Sequence, residues 1–189
     1  MTRIVGIGGT TSPTSTTEAC LQTALDAAAA AGSDTQMFGG EFLTSLPHYG
    51  TPAARESVAP RRFVDAIRDA DGIIVASPGY HGSVSGLLKN AIDYLEDTAR
   101  DARTYLDGVP VGLITTAYGW QATGSTLATL RSIVHALRGW PTPMGVTIKT
   151  NAGLFIDGRC TDPAVASQLA LVGRQVADFA RVRVGAAAS

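Results

Sequence analysis

The chain has 189 residues, 45% of them hydrophobic, which is enough for one domain to bury a sizeable apolar core without disulfides or structural metals. A formal net charge of −1 gives no basic footprint for nucleic acid or for an anionic membrane surface, so neither is expected as a partner. No segment approaches the roughly 20 consecutive apolar residues of a membrane span, and the first residues are too briefly apolar for a signal peptide, so the chain reads as one cytoplasmic domain over residues 1–189.

In chain order, residues 4–7 form the first predicted strand, and its run Ile4-Val5-Gly6-Ile7 is continuously apolar, as in strands covered on both faces. Leu21, Ala24, Leu25 and Ala28 then recur at helical spacing, and Gly32 supplies a stop. A weaker strand is expected at 35–38 and a helix at 60–70. Residues 72–76 and 109–116 are again nearly continuous apolar runs, each followed by a helical pattern, at 85–98 and 123–138. A short strand at 146–149 and a helix at 162–180 complete five strands alternating with five helices. This βαβ series predicts an α/β fold, a doubly wound five-stranded parallel sheet in the flavodoxin-like order 2-1-3-4-5 with helices on both faces. In that order the segments following strands one, three and four converge beyond the carboxyl ends of the strands, where such sheets bind ligands.

Those segments carry the unusual chemistry. The first, residues 8–17, holds seven hydroxyl side chains, among them Thr10, Ser12, Ser15, Thr16 and Thr17, at the start of a helix. Unpaired amides and the positive end of the helix dipole, supplemented by hydroxyl donors, make a site for a phosphate without a lysine. Neither the Walker pattern nor the dinucleotide GxGxxG is present. A plain N-cap by Ser15 or Thr16 would need one hydroxyl, not seven.

The second segment, Ser77-Pro78-Gly79-Tyr80-His81-Gly82-Ser83-Val84-Ser85-Gly86, exposes backbone amides beside a flat aromatic wall, suited to a planar heterocycle; the plain alternative is a turn capped by Ser85. The third, Thr116-Ala117-Tyr118-Gly119-Trp120, offers two aromatic rings that stack on a ligand or cover the sheet end. Leu46-Pro47-His48-Tyr49 folds over the site or closes the surface, and Lys89 and Asp93 are spaced for a modest ion pair. Cys20 and Cys160 are far apart and read as inert small hydrophobes. With three scattered histidines they give no metal-binding constellation, so no metal is expected.

Pro78, Tyr80, Gly86, Leu88, Lys89, Asn90, Ala91, Ile92 and Asp93 match, position by position, the P-x-Y-x-x-x-x-x-G-x-L-K-N-A-I-D segment of the NADPH-dependent FMN reductase family, which includes quinone, azo and chromate reductases. Gly9, Thr10 and Ser15 also resemble that family's G-[ST]-x-R-x-x-S phosphate loop, with Ser12 standing where the family has arginine. The resemblance implies an FMN-dependent oxidoreductase that takes hydride from NADPH, or NADH, and passes it to a second acceptor: free flavin, a quinone, or an azo or nitro compound. A flavodoxin-type electron carrier is the rival reading. As cofactor-binding residues it implies Thr10, Ser12, Ser15, Thr16, Thr17, Pro78, Gly79, Tyr80, His81, Gly82, Ser83, Thr116, Ala117, Tyr118 and Gly119, and no catalytic side chain, because the flavin carries the chemistry. The apolar stripes of helices 85–98 and 123–138, the second wider than one sheet-facing stripe requires, predict a homodimer or homotetramer through these helices, and the resemblance implies such assembly as well. The lack of an inserted tyrosine at 125–130 implies a retained flavin rather than one handed to a partner monooxygenase.

Overall fold

The computed structural model describes residues 1–187. Its sheet runs β2 (Asp34–Phe38), β1 (Arg3–Gly8), β3 (Gly72–Tyr80), β5 (Pro110–Ala117), β6 (Trp140–Lys149), with every one of these neighbours parallel. Counting only these five, the order is the expected 2-1-3-4-5. Alternation along the continuous apolar strands decides which helix layer each residue meets. Val5, Ile7, Ile73, Val75, Val111 and Leu113 pack toward α4 (Val58–Arg68), α5 (Gly86–Asp93) and α6 (Trp120–Ala136). Ile4, Ile74, Ala76, Ile114, Val146 and Ile148 pack toward α1 (Thr16–Ala30) and α7 (Pro163–Ala187). The two outer helices of that second layer touch at Gly173, where a Cβ would lie 2.0 Å from the Ala24 carbonyl oxygen, so only glycine permits the approach.

Several boundaries differ from those expected. The helix predicted at 85–98 is α5 followed by a 3-10 turn, Tyr94–Thr98; there the Tyr94 hydroxyl donates to the Pro47 carbonyl at 2.6 Å and the Thr98 hydroxyl to the Leu95 carbonyl at 2.7 Å. The last strand begins six residues earlier than expected, at Trp140 rather than 146, because its pairing with β5 resumes across an irregularity between Val111 and Leu113. Residues 39–57 contain two short helices, α2 (Gly40–Ser45) and α3 (Pro52–Glu56), that the periodicity does not announce. Two small antiparallel additions were also unexpected: β4 (Ser83–Val84) folds back on β3, and β7 (Phe155–Ile156) pairs with β8 (Arg159–Cys160). Among the described residues, no helix is long and apolar enough to cross a membrane.

Candidate functional site

The loops after β1, β3 and β5 meet at the carboxyl edge of the sheet. Ser15 is the N-cap of α1, its Oγ accepting from the Glu18 amide at 3.2 Å, so the capping role is real. In that cap the Ser15 oxygen acts as an acceptor, and a hydroxyl can donate as well as accept. The first-turn amides of Thr16 and Thr17 are the donors that a helix N-terminus leaves without intrahelical partners. Thr10 and Ser12 hold the loop's local shape: the Ser12 amide donates to Thr10 Oγ1 at 3.2 Å, and the Thr14 amide to Ser12 Oγ at 3.3 Å. Thr17 and Thr116 lie beneath these groups, both buried, with their hydroxyls 2.6 Å apart, and so tie the first turn of α1 to the end of β5.

The second segment is a tight hairpin rather than an open loop. Tyr80 pairs with Ser83, and His81 (φ 52) and Gly82 (φ 84) occupy the two-residue turn, both in the left-handed region that such hairpins need. The His81 side chain is exposed at the tip. Pro78 is buried in register with Thr116, while Gly79 lets α6 come close: a Cβ there would lie 2.8 Å from Thr126 Oγ1 and 3.0 Å from the Ala122 carbonyl oxygen. The Thr126 hydroxyl donates to the Ser83 carbonyl at 3.2 Å, fixing the returning strand. Ser85 caps α5 by accepting from the Leu88 amide at 3.2 Å, the role the plain reading gave it.

Ala117, Tyr118 and Gly119 form the third loop, which is short because α6 begins at Trp120. Tyr80, Tyr118 and Trp120 are exposed by 54%, 86% and 63%, so three aromatic rings rim the carboxyl edge of the sheet. Leu46-Pro47-His48-Tyr49 docks onto α5 and the 3-10 turn. Asn90 donates to the Pro47 carbonyl at 3.0 Å and accepts from the Tyr49 amide at 2.9 Å. Burial first, then Asp97, pushes the Tyr49 phenol pKa up. Lys89 and Asp93 form the expected ion pair, at 2.5 Å.

Two open clefts flank the first loop. One, about 640 Å³, lies between Ser15, Thr16, Ala19 and Gln22 of that loop and α1 on one side and the 151–158 segment on the other. The second, about 610 Å³, is lined by Thr10, Thr11, Ser12, Glu41 and Thr44 among others. Glu18 lines both, and its carboxylate accepts from the Gly40 amide at 2.6 Å, pinning α2 to α1. Sequence reasoning missed Glu18 as a site residue, although Ser15-x-x-Glu18 has capping-box spacing. The glutamate reaches α2 instead of its own cap. Asp157, in the turn of the β7–β8 hairpin, and Asn151, in the segment leading into it, also line the first cleft, and both belong to a stretch whose pattern is too short to read from sequence. The described residues lining these two clefts include no lysine or arginine. A phosphate at the first loop would therefore be met by hydroxyls, amides and the helix dipole. That donor set fits a flavin phosphate, and the hairpin amides and aromatic rim fit its ring.

The sequence profile of the NADPH-dependent FMN reductase family matches residues 2–152. An FMN-dependent NADPH-azoreductase of Staphylococcus haemolyticus (strain JCSC1435) is 33% identical over 103 residues, 53% of this chain and 51% of that protein. Its counterpart in Staphylococcus aureus (strain USA300) is 42% identical over 74 residues, 39% of this chain and 36% of the relative. The chain thus spans about half or less of the length of these curated relatives. Among solved structures, an NADH:FMN oxidoreductase (EMOB) in its apo form is 25% identical with a TM-score of 0.72, over 96% of this chain and 90% of that one. FerB, an NAD(P)H:(acceptor) oxidoreductase from Paracoccus denitrificans, shares the fold at 21% identity with a TM-score of 0.75, covering 96% and 98%. With the profile covering most of its length, and the hydroxyl-rich first loop and hairpin segment both inside the match, the chain belongs to the NADPH-dependent FMN reductase family.

Proposed function

We propose that this protein is an FMN-dependent NAD(P)H oxidoreductase that passes hydride equivalents from a nicotinamide nucleotide to a second, small-molecule or flavin acceptor. The observation that carries this reading is the meeting, at one sheet edge, of a hydroxyl-rich helix N-terminus with a hairpin and loop that present exposed aromatic rings. When bound, FMN supplies a ring that takes hydride from reduced nicotinamide and releases electrons to the acceptor. Ser15 and the first-turn amides of α1 hold the phosphate, with Thr10, Ser12 and Thr16 around it. Thr17 and Thr116 position these groups from below. The amides of His81, Gly82 and Ser83 face the ring edge, and Tyr80, Tyr118 and Trp120 shield it from water. His81 is a wall of this site, since none of the described hydrogen bonds holds its imidazole for acid–base work.

The protein works as a homodimer or homotetramer through α5 and α6, retains its flavin rather than supplying a monooxygenase, and resides in the cytoplasm, where nicotinamide nucleotides are available to it. Stopped-flow mixing of FMN-loaded protein with NADPH tests the assignment. Rapid bleaching of the oxidised flavin band is expected. A flavin that stays oxidised would make the protein an electron carrier of the flavodoxin type. A screen of free flavin, quinone, azo and nitro acceptors then identifies the second half-reaction.

A further inference from the structure

Cys20 and Cys160, remote in sequence, belong to one packed cluster. Cys20 lies on α1 with no exposed surface, and Cys160 on β8 is half-buried against the same apolar residues. The two-residue strand β8 approaches α1 to within 8 Å, Cα to Cα. The Cys160 thiol donates to the Asp162 carbonyl at 3.4 Å, which holds it at the base of the hairpin. Burial, followed by the charge of Cys160, pushes the Cys20 thiol up to about 12, so the buried Cys20 holds its proton at neutral pH.

We propose that Cys20 and Cys160 form a reversible redox site, in which a peroxide oxidises Cys160 and Cys20 then closes an intrachain disulfide. In the first step the Cys160 sulfur attacks a peroxide oxygen. An S–O bond forms, the O–O bond breaks, and water leaves, giving a sulfenic acid. In the second, the Cys20 sulfur attacks the Cys160 sulfur; the S–S bond forms, the S–O bond breaks, and the departing hydroxide takes the Cys20 proton as a second water. Two thiols thus give up two electrons to one peroxide. Because Cys20 must lose its proton, closure accelerates as pH rises toward the alkaline range. The consequence is structural: Phe155, Asp157 and Gly158 of the hairpin face Ser15, Thr16 and Ala19 across the 640 Å³ cleft, and the bond would fasten these two walls together.

The proposal does not depend on the flavin reading and is tested on the full chain with or without flavin. After treatment with hydrogen peroxide, the denatured protein is expected to show neither thiol to maleimide, an intact mass two hydrogens lighter, and a proteolytic fragment joining the Cys20 and Cys160 peptides. Dithiothreitol should restore both thiols. Cys160→Ser is expected to keep the Cys20 thiol through the same exposure. Cys20→Ala, which keeps a small apolar side chain in the core, is expected to leave a Cys160 sulfenic acid that dimedone traps. Over-oxidised Cys160 with a free Cys20 in the wild type, a disulfide only between copies on non-reducing gels, or two unreacted thiols would each overturn the proposal.

Discussion

On the proposed reading the Ser15 side chain would serve two partners with different atoms, which makes its roles separable. Its oxygen caps α1, and its hydroxyl would donate to the phosphate. Ser15→Ala is expected to lose both. The helix loses about 0.5–2 kcal/mol of stability with its cap. FMN affinity falls about ten- to a hundredfold, the equivalent of a hydrogen bond to a charged oxygen at roughly 1.5–3 kcal/mol. Ser15→Asp should divide them, because aspartate caps well and suits the helix dipole but sets a negative charge against the phosphate. Thermal melts should then show Ser15→Asp near wild type while titration shows FMN binding lost and riboflavin binding kept. Equal losses for FMN and riboflavin would remove the phosphate from the first loop. Thr17 provides the contrast. Thr17→Val leaves the buried Thr116 hydroxyl without its 2.6 Å partner, at a cost of about 1–3 kcal/mol. Urea denaturation should register that loss, with the ratio of FMN to riboflavin affinity unchanged.

The elements that deliver these residues are held by contacts between segments that are distant in sequence. Asn90, one of the residues that resemble the family pattern, acts as a clamp on the connection after β2, bonding both Pro47 and Tyr49. Asn90→Ala is expected to cost about 1–3 kcal/mol in denaturant titration by orphaning those backbone groups, with the FMN affinity of the folded fraction preserved. Arg103 secures another element end, donating to the carbonyls of Ile67, Arg68 and Ala70 at the C-terminus of α4, where a cation also suits the helix dipole. Such contacts explain what the sequence could and could not disclose. The three central strands were readable because strands buried on both faces are continuously apolar, as in Ile73-Ile74-Val75, whereas the edge strands β2 and β6 are partly exposed and gave weaker patterns. Helices α2 and α3 were not readable, because Glu18 and Asn90 hold their surroundings from outside the segment. The first loop stood out in the sequence by its density of hydroxyls, and the structure places it at the N-terminus of α1. The division of labour within it was not legible, because the partner that removes Thr17 from the surface lies 99 residues away.

At the scale of the whole molecule, charge and apolar surface set the expectations. On α6, Leu127, Leu130 and Val134 are spent on the core, while Ile133 and the capping Leu137 remain half-buried beside Ile92 and Ala136 in a cleft of about 330 Å³ between α5 and α6. A homodimer or homotetramer using this face is expected by light scattering at micromolar concentration, and a monomer would count against it. The nucleotide preference follows from charge. The 2′-phosphate of NADPH is best held by arginine, through paired charged hydrogen bonds, and Ser12 cannot replace that charge. The clefts beside the loop present Glu18, Glu41 and Asp157 instead. Arg55 and Arg61 line a separate pocket with Tyr49, Tyr94 and Asp97, and Arg62 is exposed on α4. Lys149, in register with Ala117, puts a cation beside the third loop. Without one charged contact of roughly 1.5–3 kcal/mol, most discrimination disappears, so kcat/KM for NADPH is expected within about tenfold of that for NADH. Carboxylate repulsion at an exposed cleft is screened over about 10 Å at 0.1 M salt, so added salt should favour NADPH relative to NADH. Ser12→Arg and Glu41→Lys should each raise the NADPH-to-NADH ratio. A native preference for NADPH of about a thousandfold, near 4 kcal/mol, would instead mean that another cation grips the 2′-phosphate, and Arg62→Ala and Lys149→Ala would show which.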